Sequence, residues 1–223
     1  MTQSQKDIFL NGGEGNRYFQ RNFSKYLAGA TEDMPRHLRF LSQFIREGDK
    51  VLEIGCSTGI NLQRLRNLTH CEGYGVDPSS DAITKGKAAF PELALEVGTA
   101  DELPYSQGNF DFVLFGFCLY VVDRVLLPKV VGEADRVLKN KGFLGITDFD
   151  AILPAMRPYR HVPGMFSYKM DYSRLFTAYP HYSLVEKINY SHSSEEFCEI
   201  PQERVASSVL FKDHSNAYVS QPE

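Results

Sequence analysis

The stretch Val51-Leu52-Glu53-Ile54-Gly55-Cys56-Ser57-Thr58-Gly59 puts small residues where a β-rich run ends and a helical rhythm begins. Such a turn lets a ligand approach the backbone, at the strand ends where open α/β sheets bind their ligands. Its spacing argues against a dinucleotide. A pyrophosphate loop wants glycines at its first, third and sixth positions, which here hold Gly55, Ser57 and Ile60. Glu53, two residues ahead of the first glycine, suits an ammonium group better than a pyrophosphate. Asp77 closes the next short strand, near the offset of about 20 residues expected for a carboxylate on a ribose. Read alone, both are ordinary strand-end carboxylates.

A second polar group follows the fifth apolar run. Arg157, Arg160 and His161 fall in Met-Arg-Pro-Tyr-Arg-His-Val-Pro, where the mouth of an α/β site would open. Two arginines there can hold a phosphate or carboxylate on a substrate, with Tyr168 beside them. His161, with an ordinary pKa near ~6.5, can take a proton from a hydroxyl. Asp150, at the end of that run, is an alternative base, with Asp148 behind it. A solvated basic loop around His161 and a helix cap at Asp150 are the competing readings, and the residues leave them open. Cys56, Cys71, Cys118 and Cys198 stand singly without a CxxC pair, so neither zinc nor a disulfide framework is expected, and no metal site is assigned.

These residues need a scaffold, and the pattern supplies one. KVLEI (50–54), GYGV (73–76), LALEV (93–97), FDFVLFGF (110–117) and FLGITDF (143–149) read as strands. Amphipathic stretches at 60–68, 81–90 and 125–138 read as the helices between them, with Ser79 or Ser80 capping the second and a turn over 139–142. The repetition implies right-handed βαβ units and a mostly parallel sheet. HYSLVEKINYSH (181–192) and RVASSVLFKD (204–213) follow one another without a helix, which predicts an antiparallel hairpin finishing the sheet. Two helices are expected in the first 47 residues, RYFQRNFSKYLAG and MPRHLRFLSQFIRE, and an irregular proline-rich cap over 151–180.

With that scaffold in place, VLEIGCSTG resembles motif I of the class I S-adenosylmethionine-dependent methyltransferases, an acidic residue followed by G-x-G-x-G, with Ser57 at the middle glycine. GTADELPY (98–105), FDFVLFGFCLYVVD and ADRVLKNKGFLGITDF resemble the family's later motifs in order. The resemblance implies S-adenosylmethionine as cofactor, held by Glu53, Gly55, Cys56, Ser57 and Gly59 at the methionine end. It implies Asp77 and Pro78 at the ribose, Thr99, Ala100 and Asp101 at the adenine, and Phe115 and Gly116 near the sulfonium. GGEGNRYFQRN (12–22) resembles small methyltransferases of pseudaminic acid and surface-glycan biosynthesis, which implies that Tyr18 and Arg21 close over the cofactor.

The expected fold class is α/β: a Rossmann-like three-layer sandwich with a mostly parallel seven-stranded sheet, a C-terminal antiparallel hairpin and a helical N-terminal lid. One domain is expected over 1–223, divided into a lid (1–47), a cofactor-binding core (48–150), an acceptor cap (151–180) and closing strands (181–213). The expected reaction is methyl transfer to a small molecule, with oxygen of an anionic or sugar-like metabolite as acceptor. Nitrogen or carbon acceptors, or a non-catalytic cofactor-binding module, are the alternatives. The net charge of −4 and pI of about 5.9 weaken the case for a nucleic-acid partner. The longest apolar run, Phe112 to Val122, is too short to span a bilayer. Together with a polar start and scattered cysteines, this predicts a cytoplasmic monomer or homodimer.

Overall fold

A computed structural model describes residues 4–28, 34–218 and 220. Three helices come first, α1 (Gln5–Leu10), α2 (Glu14–Ala28) and α3 (Arg36–Leu41), the last running into a 3-10 turn at Ser42–Phe44. Alternating elements follow: β1 (Lys50–Ile54), α4 (Ile60–Thr69), β2 (Glu72–Asp77), α5 (Ser80–Ala89), β3 (Ala94–Val97), β4 (Phe110–Gly116), α6 (Leu127–Val137) and β5 (Leu138–Phe149). The chain ends with β6 (Ala155–Pro158), β7 (Phe166–Lys169), α7 (Arg174–Thr177), β8 (Tyr182–Ser191) and β9 (Arg204–Lys212).

The main sheet has the order β3-β2-β1-β4-β5-β9-β8, parallel through β5, with β9 antiparallel to both neighbours. This is the Rossmann-like layered fold expected, with its closing hairpin. The run FDFVLFG is apolar throughout because both of its faces are covered. Phe110, Val113 and Phe115 join α6 and α7 on one side, while Phe112 and Leu114 join α3 and α4 on the other. Ser79 caps α5 by accepting from Ala82 N at 3.1 Å, worth about 1 kcal/mol.

Four local expectations change. The turn read over 139–142 lies inside β5, where it loops out of the ladder between the pairs Phe110–Leu138 and Phe112–Phe143, with Lys141 at φ 68°. The 34–47 helix stops at Leu41, because the 3-10 turn tightens its end. The 151–180 segment is more ordered than its prolines suggest, since β6 and β7 pair as a separate antiparallel hairpin. Finally, α1 lacks the length for a visible apolar period and forms on tertiary contacts. Among the described residues, no helix is long and apolar enough to cross a membrane.

Candidate active site

A cavity opens at the C-terminal ends of β1, β2 and β4, beneath α1 and α2. Gly55 turns at φ 80°, where an added Cβ would stand 2.7 Å from Cys118 Cβ. Ser57 occupies the middle glycine position and takes up the left-handed conformation itself, at φ 49°. That conformation costs a non-glycine residue about 1–2 kcal/mol. Part of the compensation comes from Asp77, whose Oδ2 accepts from Ser57 N at 2.9 Å while its Oδ1 accepts from Ser79 N at 2.8 Å. Burial nonetheless pushes the Asp77 carboxyl up to about 6.

Glu53 is 1% exposed. Its Oε1 accepts from Asn61 Nδ2 at 2.9 Å, and Gly116 leaves room for it, since any side chain there would run into this oxygen. Its Oε2 is buried with no hydrogen-bond partner among the described residues. Burial, with the nearby Asp77 charge adding to it, pushes the Glu53 carboxyl up to about 8. An orphaned carboxylate oxygen under a glycine turn fits a cationic ligand, as S-adenosylmethionine would be. Asp101 marks the other end of the cavity, 2.8 Å from Lys6 Nζ and 3.5 Å from Lys129 Nζ. Burial pushes its carboxyl up, but Lys6, Thr99 and Lys129 outweigh that and hold it below the ordinary range.

The N-terminal helices form the roof. Gln5 donates from its backbone to Asp123 Oδ2 and from Nε2 to Val121 O, each at 2.8 Å, and its Oε1 accepts from Phe166 N at 2.8 Å. In α2, Gly15 lets the helix lie on the Pro78–Ser79 backbone, where an added Cβ would stand 3.3 Å away. Asn16 Oδ1 accepts from Ser79 Oγ at 2.9 Å and from Asp81 N at 3.2 Å, pinning α2 to the start of α5. Tyr18 points into the cavity.

A second cavity lies on the α3–α4 side of the same strand ends. It shares Gly55, Ser57, Gly116 and Phe117 with the first and is completed by His37, Arg64, Thr147, Tyr190 and His192, among others. Phe117 has φ 58° and donates its N–H to Thr147 O at 2.9 Å. Its ring packs 5.7 Å from Tyr120, 5.2 Å from Phe149 and 5.3 Å from His192. On the cavity floor, Thr147 Oγ1 and Tyr190 Oη each meet Ser207 Oγ at 2.9 Å. Burial, reinforced by Arg64, pushes His37 down to about 4, so it is neutral at physiological pH.

The structure gathers Tyr18, Gly55, Ser57, Asp77, Pro78, Thr99, Ala100, Asp101 and Gly116 around the first cavity. Glu53 lies beneath that loop, Gly59 supports it at φ 77°, and Cys56 faces the second cavity. Other placements are corrected. Phe115 is fully buried in the apolar core, because the pleat turns it toward α6. The Arg21 guanidinium binds the buried Glu14 carboxylate with Tyr159, and does not line the first cavity. Asp150 is engaged by Lys187 Nζ at 2.6 Å, Arg204 Nε at 3.4 Å and Asn189, and lines neither cavity. His161 lies exposed on the β6–β7 turn against the Tyr159 ring, outside both cavities. Arg157 turns to Glu203 at 3.5 Å, Arg160 is exposed, and Tyr168 lies under Arg124 at 4.3 Å. Asp135, His181 and His214 approach one another far from both cavities, with Lys212 Nζ 3.0 Å from the Asp135 carboxylate. His37, Arg64, Tyr190 and His192 were not legible as site residues, since they come from four separate places with no local motif.

Comparison with known proteins bears on the acidic cavity and its glycine turn. Residues 51–142 match the family model described as a methyltransferase domain. This range runs from β1 into the β5 bulge and contains Glu53, Asp77 and Asp101. The chain is 30% identical over 126 residues to a demethylmenaquinone methyltransferase of Beutenbergia cavernae, covering 54% of this chain and 48% of that one. It is 35% identical over 106 residues to the demethylmenaquinone methyltransferase of Staphylococcus aureus strain Newman, covering 45% and 43%. The chain thus spans about half the length of the relatives it matches, or less. Among solved structures, a SAM-dependent methyltransferase of Methanosarcina mazei superposes with a TM-score of 0.66 at 16% identity, over 82% of this chain and 99% of that one. A TehB-like SAM-dependent methyltransferase of Corynebacterium glutamicum gives 0.63 at 18% identity, over 91% and 100%. Residues 51–142 are thus similar to a methyltransferase domain, and the solved structures share the chain's fold.

Proposed function

We propose that this chain transfers a methyl group from S-adenosylmethionine to a small molecule seated in the second cavity. One observation carries the reading: two cavities, one rich in carboxylates, meet across Gly55, Ser57, Gly116 and Phe117. When bound, the cosubstrate supplies a sulfonium methyl group whose carbon bonds to the acceptor's lone pair while sulfur keeps the electrons of the broken C–S bond. Asp77 takes the ribose hydroxyls, Thr99, Ala100 and Asp101 line the adenine end, and Glu53 with the 55–59 turn holds the methionine end. Alignment of the two molecules across the shared wall is the chain's main contribution. The roof of α1 and α2, with Phe117 and Tyr120, keeps water away.

We take oxygen as the acceptor atom. His192, against the Phe117 ring, replaces His161 and Asp150 as the proposed acceptor of its proton. The named relatives act on demethylmenaquinone or, in Eremothecium gossypii, on a sterol, which favours small molecules as acceptors. The resemblance of residues 12–22 to surface-glycan methyltransferases adds sugar acids to the set to be tried. The test is incubation of the protein and candidate acceptors with isotopically labelled S-adenosylmethionine, read by mass spectrometry. A labelled product whose formation drops about 100-fold in His192→Ala is expected. No heat of binding with either S-adenosylmethionine or S-adenosylhomocysteine would end the proposal.

A further inference from the structure

The α3–α4 face of the sheet changes character where it reaches the second cavity. Phe143, Val209 and Ile188 lie on that face in β5, β9 and β8 and pack into its apolar core. Two or four residues nearer the cavity, the same strands carry Thr147, Ser207 and Tyr190. Thr147 is 5% exposed and Ser207 is fully buried. Valine would fill either position without burying a hydroxyl, which costs free energy unless it is bonded. The three hydroxyls bond to one another: Ser207 Oγ stands 2.9 Å from both Thr147 Oγ1 and Tyr190 Oη. Burial raises the Tyr190 phenol above its ordinary range, by more than Ser207 and Arg36 lower it, so the group is neutral. Thr147 and Tyr190 line the cavity, and each keeps at least one lone pair whichever way the shared protons run.

We infer that the second cavity takes a small molecule that donates a hydroxyl to Thr147 and Tyr190, with Ser207 as the positioning residue that aims both. The inference rests on the proposed use of the two cavities and adds a recognition element for the acceptor. Thr147 lies opposite Gly116 of the shared wall, one strand away in β5, while β9 and β8 lie two and three strands away. At about 4.8 Å per strand, this hydroxyl floor stands back from the wall across which the methyl group passes. The hydroxyl held there is therefore not the atom that receives the methyl group, and its hydrogen bond serves recognition. Ile60, Leu114 and Val205 leave apolar walls for the body of the molecule. The acceptor class is then a small alcohol or phenol with an apolar body, whose reacting atom lies at the end remote from the held hydroxyl.

The experiment uses the full chain saturated with S-adenosylhomocysteine, titrated with phenol and with anisole, its methyl ether, which keeps the oxygen but has no proton to donate. Ligand-observed NMR gives the two affinities, and their ratio is the readout. In Thr147→Val and in Tyr190→Phe, which keep the shape and remove a hydroxyl, the preference for phenol is expected to fall about fivefold, the size of one hydrogen bond. Ser207→Ala is expected to lower it as well, and Thr147→Ser, which keeps the hydroxyl, to preserve it. Affinity for S-adenosylhomocysteine is expected to stay within about twofold in all four variants, which also reports that they fold. A ratio unchanged in both Thr147→Val and Tyr190→Phe, a ratio that falls as far in Thr147→Ser as in Thr147→Val, or no binding of phenol to the unsubstituted chain would overturn the inference. Absence of S-adenosylhomocysteine binding in the unsubstituted chain would instead remove the functional reading beneath it.

Discussion

Asp77 carries two tasks at once. Its carboxylate holds the Ser57 and Ser79 amides and still has lone pairs facing the cavity. Asp77→Asn halves its accepting capacity and should weaken binding of S-adenosylmethionine about 10- to 100-fold by calorimetry, the size of a lost hydrogen bond to a charged group. Glu53 supplies a pH signature. Its folded carboxyl lies at about 8 because of burial, above the ordinary value near ~4.3 of an unfolded chain. Protonated, it is tolerated; ionised and unpaired, it is not. Its contribution to stability is therefore complete below the unfolded value and is lost as pH rises through about 8. Asp77, at about 6, adds a term of the same sign lower in the range. Without ligand, Tm should fall between pH 6 and pH 8.5, and Glu53→Gln should flatten that fall. An equal slope in both proteins would show that Glu53 is not the group titrating. Most of the first cavity was legible because Glu53, Gly55, Ser57, Asp77 and Asp101 sit at fixed offsets along consecutive strand ends. Arg21 misled because its local spacing hid a buried partner, Glu14.

At the scale of elements, α1 acts as a strap whose hold depends on Gln5. Three hydrogen bonds join this residue to the loop after β4 and to β7, two of them through its side chain. Gln5→Ala leaves Val121 O and Phe166 N without those partners, a loss of about 1–3 kcal/mol in the closed state. Dissociation of S-adenosylhomocysteine should speed up about tenfold in stopped flow, and amide exchange over residues 4–10 should rise with it. A second element depends on Asp150, which is 6% exposed and joins the end of β5 to β8 and β9. Asp150→Asn weakens the contacts of two half-buried cations, Arg204 and Lys187, the latter keeping Asp171 at 3.0 Å, and should cost about 1–3 kcal/mol in chemical denaturation. A loss of turnover without that destabilisation would return Asp150 to the role of base. The central strands β1 and β4 were readable because cover on both faces forces continuous apolar runs. The β6–β7 hairpin was not, because it borrows its order from α1 and from Lys169, whose Nζ bonds to Gln202 O.

Over the whole molecule, two cavities meet at the strand ends, and Phe117 stands in the wall they share. A phenylalanine at φ 58° is strained by about 1–2 kcal/mol, and backbone strain of that kind persists where surrounding contacts enforce it. Here the Thr147 carbonyl and the rings of Tyr120, Phe149 and His192 do so. Phe117→Gly removes the strain and the ring together, which separates two possible uses of the residue. If the side chain only fills space, the variant should lose stability in proportion to the lost burial and transfer should be spared. If the ring keeps the two ligands aligned and dry, S-adenosylhomocysteine should bind within about threefold of normal while transfer drops about 10- to 100-fold, since misplaced reactants forfeit rate and not affinity. We expect the second result, with labelled cosubstrate also appearing as methanol once water reaches the sulfonium. Unchanged turnover with a lowered Tm would reduce Phe117 to packing and leave alignment to the glycine turn alone.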